Sequence, residues 1–104
     1  MTPDHHDKTQ ELYDLIASID DPAEIRALFD DLCTRKEIEN MAERVYAAKL
    51  LMEGNTYAQV MQQSSISSAT LSRVSRCVQY GEGYSRLLGQ KAIDNSSIPS
   101  LSSE

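Results

Sequence analysis

Apolar side chains recur every three or four positions between Leu12 and Met52, and that period leaves the chain one regular structure, the α-helix. Leu12, Leu15, Ile16 and Ile19 stand at i, i+3, i+4 and i+7, the stripe of a first helix over about residues 7–19. Asp20, Asp21 and Pro22 end it, and Pro22 suits the opening position of the next helix, where Ile25, Leu28, Phe29 and Leu32 repeat the spacing. Thr34 and Glu37 form the signature of a capping box, which opens a third helix over about 35–53. Ile38, Met41, Val45, Ala48 and Met52 then alternate at three and four residues, a heptad seam. Leu50 and Leu51 lie off that seam, so the second half of this helix must bury more than one face. Gly54 follows, where a left-handed cap is cheapest. Alternation of β-branched residues never persists, so the expected fold class is all-α, with five to six helices.

A second capping box, Thr56 with Gln59, predicts a short helix to about Gln63, with Val60 and Met61 as its apolar contacts. Ser64, Ser65, Ile66 and Ser67 make a polar break with Ile66 as its one anchor. Ser67 or Ser68 caps a further helix that runs to Tyr80 and stops at Gly81. Tyr80, Tyr84, Leu87 and Leu88 predict a last amphipathic element. From Asp94 the composition turns Ser-rich around Pro99. The expected organisation is a helical domain over 1–94, a helix-turn-helix at about 56–80, and a disordered tail over 95–104.

A chain of 104 residues and 11.6 kDa fits one domain. At this size folding removes only about 60–70% of the chain surface from water, so a helical protein gains from completing its core with a second chain. Hydrophobic residues at 40% and charged residues at 25% argue against wholesale disorder. No apolar run approaches the roughly 20 residues that cross a bilayer, and MTPDHHDKTQ has no leader character. The expectation is a cytoplasmic protein without membrane insertion. Cys33 and Cys77 show no ligand spacing and read as small buried hydrophobes. His5 and His6 sit together near the N-terminus, away from any acid or nucleophile set, and no Gly-rich phosphate loop occurs. Catalytic and metal-site readings therefore fall away, and no enzyme is expected.

The net charge of −6 conceals a gradient. Residues 1–31 carry nine acids and two bases, −7; residues 32–55 cancel; residues 56–94 carry +2 through Arg73, Arg76, Arg86 and Lys91 against Glu82 and Asp94. Local charge decides nucleic-acid binding, and the back half is the basic one. On the helix after the polar break, Leu71, Val74 and Val78 fall on one side, with Cys77 at its margin. Ala69, Ser72, Arg73 and Arg76 fall on the other. Small residues near the helix start let backbone approach base edges, and guanidinium groups pair bidentately with phosphate or guanine. The acidic front should discourage indiscriminate DNA binding.

The stretches LFDDLCTRKEIENMAERVYAAKLLMEGNTYAQV and SSATLSRVSRCVQYGEGYSRLL resemble the tryptophan-repressor superfamily, and within it the YerC/YecD-type small regulators. The likeness spans roughly residues 26–90, most specifically Leu32 to Thr34, the KLLMEG stretch ending at Gly54, and ATLSRVSRC around Arg73. It implies an intertwined homodimer whose long central helices build a shared core and whose reading heads engage double-stranded DNA. It also implies that Ser68, Ala69 and Thr70 approach base edges, while Tyr57 and Ser72 contact phosphate. Two heads would engage half-sites about 34–36 Å apart.

The same resemblance gives an effector pocket of Arg44, Arg73, Val74 and Cys77. Tryptophan fits it poorly: Val74 replaces a small residue where the ligand packs, and Cys77 replaces a hydroxyl. Another small effector, or none, is the expectation. Read without the resemblance, Arg44 is an ion-paired or solvated residue beside Glu39 and Glu43, and Tyr46 and Tyr57 are packing residues. The sequence thus predicts a sequence-specific transcriptional regulator, a repressor acting on operator DNA in the nucleoid. The rival is a helical adaptor that binds protein through Met41, Val45 or Met52. A Ser-rich phosphorylation segment is a third reading, opposed by the apolar spacing within SSISSATLSRVSRCV.

Overall fold

A computed structural model describes residues 7–89, and every regular element among them is helical. The elements are α1 (Lys8–Ala17), α2 (Pro22–Leu32), α3 (Arg35–Met52), α4 (Tyr57–Gln63) and α5 (Ser68–Tyr80), followed by a helical stretch at 83–89, here α6. The chain divides into two compact units, residues 1–38 and 39–104. The expected tail over 95–104, Lys91 and the two histidines lie outside the described residues.

In the first unit the helix starts are set locally. The Asp7 carboxylate accepts from the Thr9 amide at 2.9 Å, and Asp21 accepts from the Ala23 amide at 3.0 Å ahead of Pro22. The first helix is shorter than its apolar stripe: it ends at Ala17, where the Ser18 hydroxyl donates to the Leu15 carbonyl at 2.7 Å. Ile19 thus completes the stripe from outside the helix. No residue between 7 and 38 is buried. Leu15 is 49% and Leu32 50% exposed, so the stripes of α1 and α2 keep much of their area in water.

At the head of α3 the capping box forms as its spacing predicts. The Glu37 amide donates to the Thr34 hydroxyl at 3.1 Å, and the Thr34 amide donates to the Glu37 carboxylate at 2.8 Å. The helix ends at Met52 in a Schellman motif: the Asn55 amide donates to the Leu50 carbonyl at 3.1 Å and the Gly54 amide to the Leu51 carbonyl at 3.0 Å. Gly54 takes φ +99°, a conformation that charges any side chain a steric penalty. The Asn55 side-chain amide also donates to the Leu50 carbonyl, at 2.9 Å.

The second unit holds the core. Ala47, Ala48 and Leu50 of α3 meet Val60 of α4, Ile66 of the turn, and Leu71 and Val74 of α5. Leu51, Val78, Tyr84 and Leu88 pack against them. The back half of α3 therefore buries adjoining faces, as Leu50 and Leu51 require. The front of the seam differs: Met41 is 38% and Val45 45% exposed. Two expectations need correction. Cys33 and Cys77 are half-buried free thiols, because Cys33 is the C-cap of α2 and Cys77 sits on the margin of α5. The closing element uses only part of its stripe: Tyr84 and Leu88 pack inward, while Tyr80 is 81% and Leu87 68% exposed. Met61 also faces water in part, at 42%.

Candidate nucleic-acid interface

The candidate site is the acid-free stretch of the second unit. No Asp or Glu occurs from Thr56 to Gly81, in a chain with 16 acidic residues. Two helices lie within it, α4 and α5, joined by the turn Ser64–Ser67. The Gln59 amide donates to the Thr56 hydroxyl at 3.2 Å, and the Thr56 amide donates to the Gln59 side-chain carbonyl at 2.7 Å, which fixes the start of α4. In the turn the Ser64 hydroxyl donates to the Val60 carbonyl at 2.9 Å, and the Ile66 side chain enters the core at 8% exposure. The Ser67 hydroxyl caps α5 by accepting from the Thr70 amide at 3.2 Å, and it donates to the Thr70 hydroxyl at 3.0 Å. Each end of the turn is thereby held by a local side chain.

The hundred-degree advance of a helix then sorts the residues of α5. Leu71 and Val74 are buried, and so is Ser75, which accepts from the Gln79 side-chain amide at 3.4 Å. On the opposite side Ala69, Ser72, Arg73 and Arg76 are exposed; Ser68, one heptad before Ser75, is exposed as the first residue of the helix. Ala69, Ser72, Arg73, Arg76, Cys77, Tyr80 and Gly81 line one open groove along this face, with no carboxylate among them. Among the described residues neither Arg73 nor Arg76 has a hydrogen bond or ion pair, whereas Arg86 pairs with Glu82 at 2.7 Å. With no partner among the described residues, both guanidinium groups can take an outside anion, and nearby hydroxyls from Ser72 and Tyr80 offer further donors.

The residues singled out in the sequence divide as follows. Ala69, Ser72, Arg73 and Arg76 share the exposed face of α5, while Ser68 is exposed at its first position on the side of Ser75. Thr70 is half-buried, with its hydroxyl turned to Ser67. Tyr57 opens α4 and is 45% exposed, and Tyr46 on α3 is 42% exposed, so each is partly covered and partly open to water and neither belongs to the buried core of the described residues. Arg73 and Cys77 border the same groove, while Val74 turns inward at 2% exposure. Arg44 lies exposed on α3, does not line this groove, and has no ion-pair partner among the described residues. Tyr80, which the spacing with Tyr84, Leu87 and Leu88 assigns to a closing amphipathic element, instead ends α5 on this groove at 81% exposure. Its position eleven residues beyond Ala69 on the same helical face is the signal that places it there. No group of three or more His, Cys, Asp or Glu among the described residues could hold a metal ion, and no helix among them is long and apolar enough to cross a membrane.

Comparison with known proteins gives this arrangement a family. The profile described as Trp repressor protein matches residues 7–92. A protein of Bacillus subtilis (strain 168) described as uncharacterized protein YerC is 45% identical over 71 residues, which are 68% of this chain and 68% of that protein. A crystal structure from Staphylococcus aureus, described as that of a candidate Trp repressor, superimposes with a TM-score of 0.78 at 36% identity. The match covers 89% of this chain and 96% of that one. A TrpR-like protein from Eubacterium eligens ATCC 27750 gives a TM-score of 0.77 at 32% identity, over 88% and 96% of the two chains.

Proposed function

The chain belongs to the Trp repressor family, and from that premise we propose that it is a sequence-specific DNA-binding regulator that represses by occupying an operator as a homodimer. One observation carries the reading. The outward face of α5 presents Ala69, Ser72, Arg73 and Arg76 on an acid-free segment, with both guanidinium groups unpaired among the described residues. In this reading α4 and α5 are the two members of a helix-turn-helix. Phosphate contacts from Arg73, Arg76, Ser72 and Tyr57 supply affinity. The first turn of α5, Ser68, Ala69 and Thr70, supplies specificity in the major groove. Repression by occupancy needs no chemistry from the protein, in keeping with a regulatory and non-enzymatic family. The site of action is the cytoplasm, on nucleoid DNA.

The homodimer is supported by the apolar residues left in water, Met41 and Val45 on α3 and the stripes of α1 and α2. Seam residues spaced for a helical partner, yet exposed in a single chain, ask for a second helix. The same reading gives this protein a small effector other than tryptophan, or none. Val74 carries a branched side chain into the core and Cys77 sets a thiol on the groove, at the two positions where the family resemblance implies a small residue and a hydroxyl against tryptophan.

The test is a pull-down of genomic DNA fragments by the purified protein, run beside the Arg73→Ala/Arg76→Ala double variant. Enrichment of a few discrete fragments by the wild type and none by the folded variant is the expected result. If both proteins enrich nothing, with and without cell extract, DNA binding is excluded and a helical adaptor working through Met41, Val45 or Met52 takes its place.

A further inference from the structure

Glu43 is half-buried on α3, and its carboxylate does something that the sequence around it does not announce. The Ser65 amide donates to Glu43 Oε1 at 3.3 Å, across 22 residues of chain. The other side-chain hydrogen bonds described above span eight residues or fewer, so they fix local geometry and tie no distant elements together. The Ser64–Ser67 turn is otherwise held by Ser64 reaching back to α4, by Ser67 reaching forward to α5, and by Ile66 in the core. An apolar anchor resists withdrawal but is poorly directional; a carboxylate on a backbone amide sets an orientation. Because Ser65 is exposed, water can replace this bond in an unanchored turn, and its contribution to overall stability is modest.

We propose that Glu43 is a positioning residue for α5: by holding the Ser65 amide it fixes the turn against α3, and so sets where the first turn of α5 stands relative to the helix that carries the seam. This rests on α5 reading DNA as a dimer. Two heads must meet half-sites at a fixed spacing, and α3 is the element from which that spacing is measured. Val60, Leu71 and Val74 hold the bodies of α4 and α5 on α3, so loss of this bond frees the turn and the first turn of α5 to shift, and affinity falls by the fraction of time that turn is out of place.

Two variants separate position from charge. Glu43→Gln keeps a carbonyl acceptor and removes a negative charge, whereas Glu43→Ala removes both. The assay measures affinity for a fragment enriched by the wild type, the salt dependence of that affinity, thermal stability, and exchange of the Ser65 amide proton by NMR. Expected is an Ala variant about 3- to 10-fold weaker, the scale of one lost hydrogen bond, with an unchanged salt slope and faster Ser65 exchange. The Gln variant should bind as the wild type does or more tightly, with Ser65 still protected. Equal tightening in both variants would mean that Glu43 acts only by repelling phosphate, and would overturn the proposal. So would unchanged binding in both, unchanged Ser65 exchange in the Ala variant, or a loss of affinity that tracks a loss of stability. Failure of the wild type itself to bind DNA is visible before any variant is compared; it would remove the reading of α5 and the role of Glu43 with it.

Discussion

Arg73→Ala/Arg76→Ala should change how DNA affinity responds to salt, by an amount that counts reading heads. Both side chains are exposed and unpaired among the described residues, and alanine favours the helix, so α5 should persist. Each guanidinium that neutralises one phosphate contributes about 0.9 to the slope of log K against log salt. Two per chain, in a dimer with both heads engaged, make the variant's slope shallower by about 3.6. Over a fourfold rise in salt, from about 50 to about 200 mM, that difference changes relative affinity by roughly 150-fold. One engaged head gives a change of about 1.8 in slope and roughly 12-fold in relative affinity. The assay is fluorescence anisotropy of an enriched fragment at five or more salt concentrations, with circular dichroism to show that the variant is helical. Parallel salt lines, with the variant merely displaced downward, would refute the phosphate role of both arginines. They would leave base contact or the shape of the groove as the origin of the loss.

Three further outcomes follow from the fold. Ser67→Ala removes the cap of α5 and should cost about 1 kcal/mol, read as a fall of several degrees in thermal midpoint. Ser67→Asp should restore the midpoint while weakening DNA binding, because it sets a carboxylate beside the exposed face of α5. Gly54→Ala meets nothing within 4 Å, so its cost is conformational alone, about 1–2 kcal/mol at φ +99°, measured by denaturant titration. An unchanged midpoint would show that the end of α3 does not need the left-handed residue. Met41→Glu/Val45→Glu should halve the mass seen by light scattering while the core of residues 39–89 stays folded; a dimeric double variant would place the interface elsewhere.

What the sequence discloses is what short chemical grammar encodes. Thr34 with Glu37, Thr56 with Gln59, and Gly54 after Met52 each define a helix end within a few residues and form the bonds their spacing predicts, and Pro22 opens its helix as expected, with the Asp21 carboxylate added as its cap. The sidedness of α5 is equally legible, because 100° per residue puts Leu71 and Val74 opposite Ala69, Ser72, Arg73 and Arg76. Glu43 escapes this grammar: its partner is 22 residues away, and nothing local to either residue marks the pairing. The end of α1 escapes it for the opposite reason, since the Ser18 hydroxyl offers the Leu15 carbonyl a local alternative before the apolar stripe is complete.

Periodicity carries a further limit, and α3 makes it concrete. One helix bears one continuous seam, yet the residues along it end in different surroundings. Met41 and Val45 are 38% and 45% exposed, while Ala48 is fully buried. Spacing states which residues point the same way; it does not state what they point at. Ala47, Ala48 and Leu50 are covered because α4, Ile66 and α5 follow in the same chain and fold over them. Nothing between residues 39 and 89 does the same for Met41 and Val45. The front of α3 thus has the chemistry of an interior and the exposure of a surface. In a dimer that combination has a direct use. The half of α3 packed against α4 and α5 would hold the proposed reading head, the half left open would take the partner's helix, and one element would set the distance between the two heads.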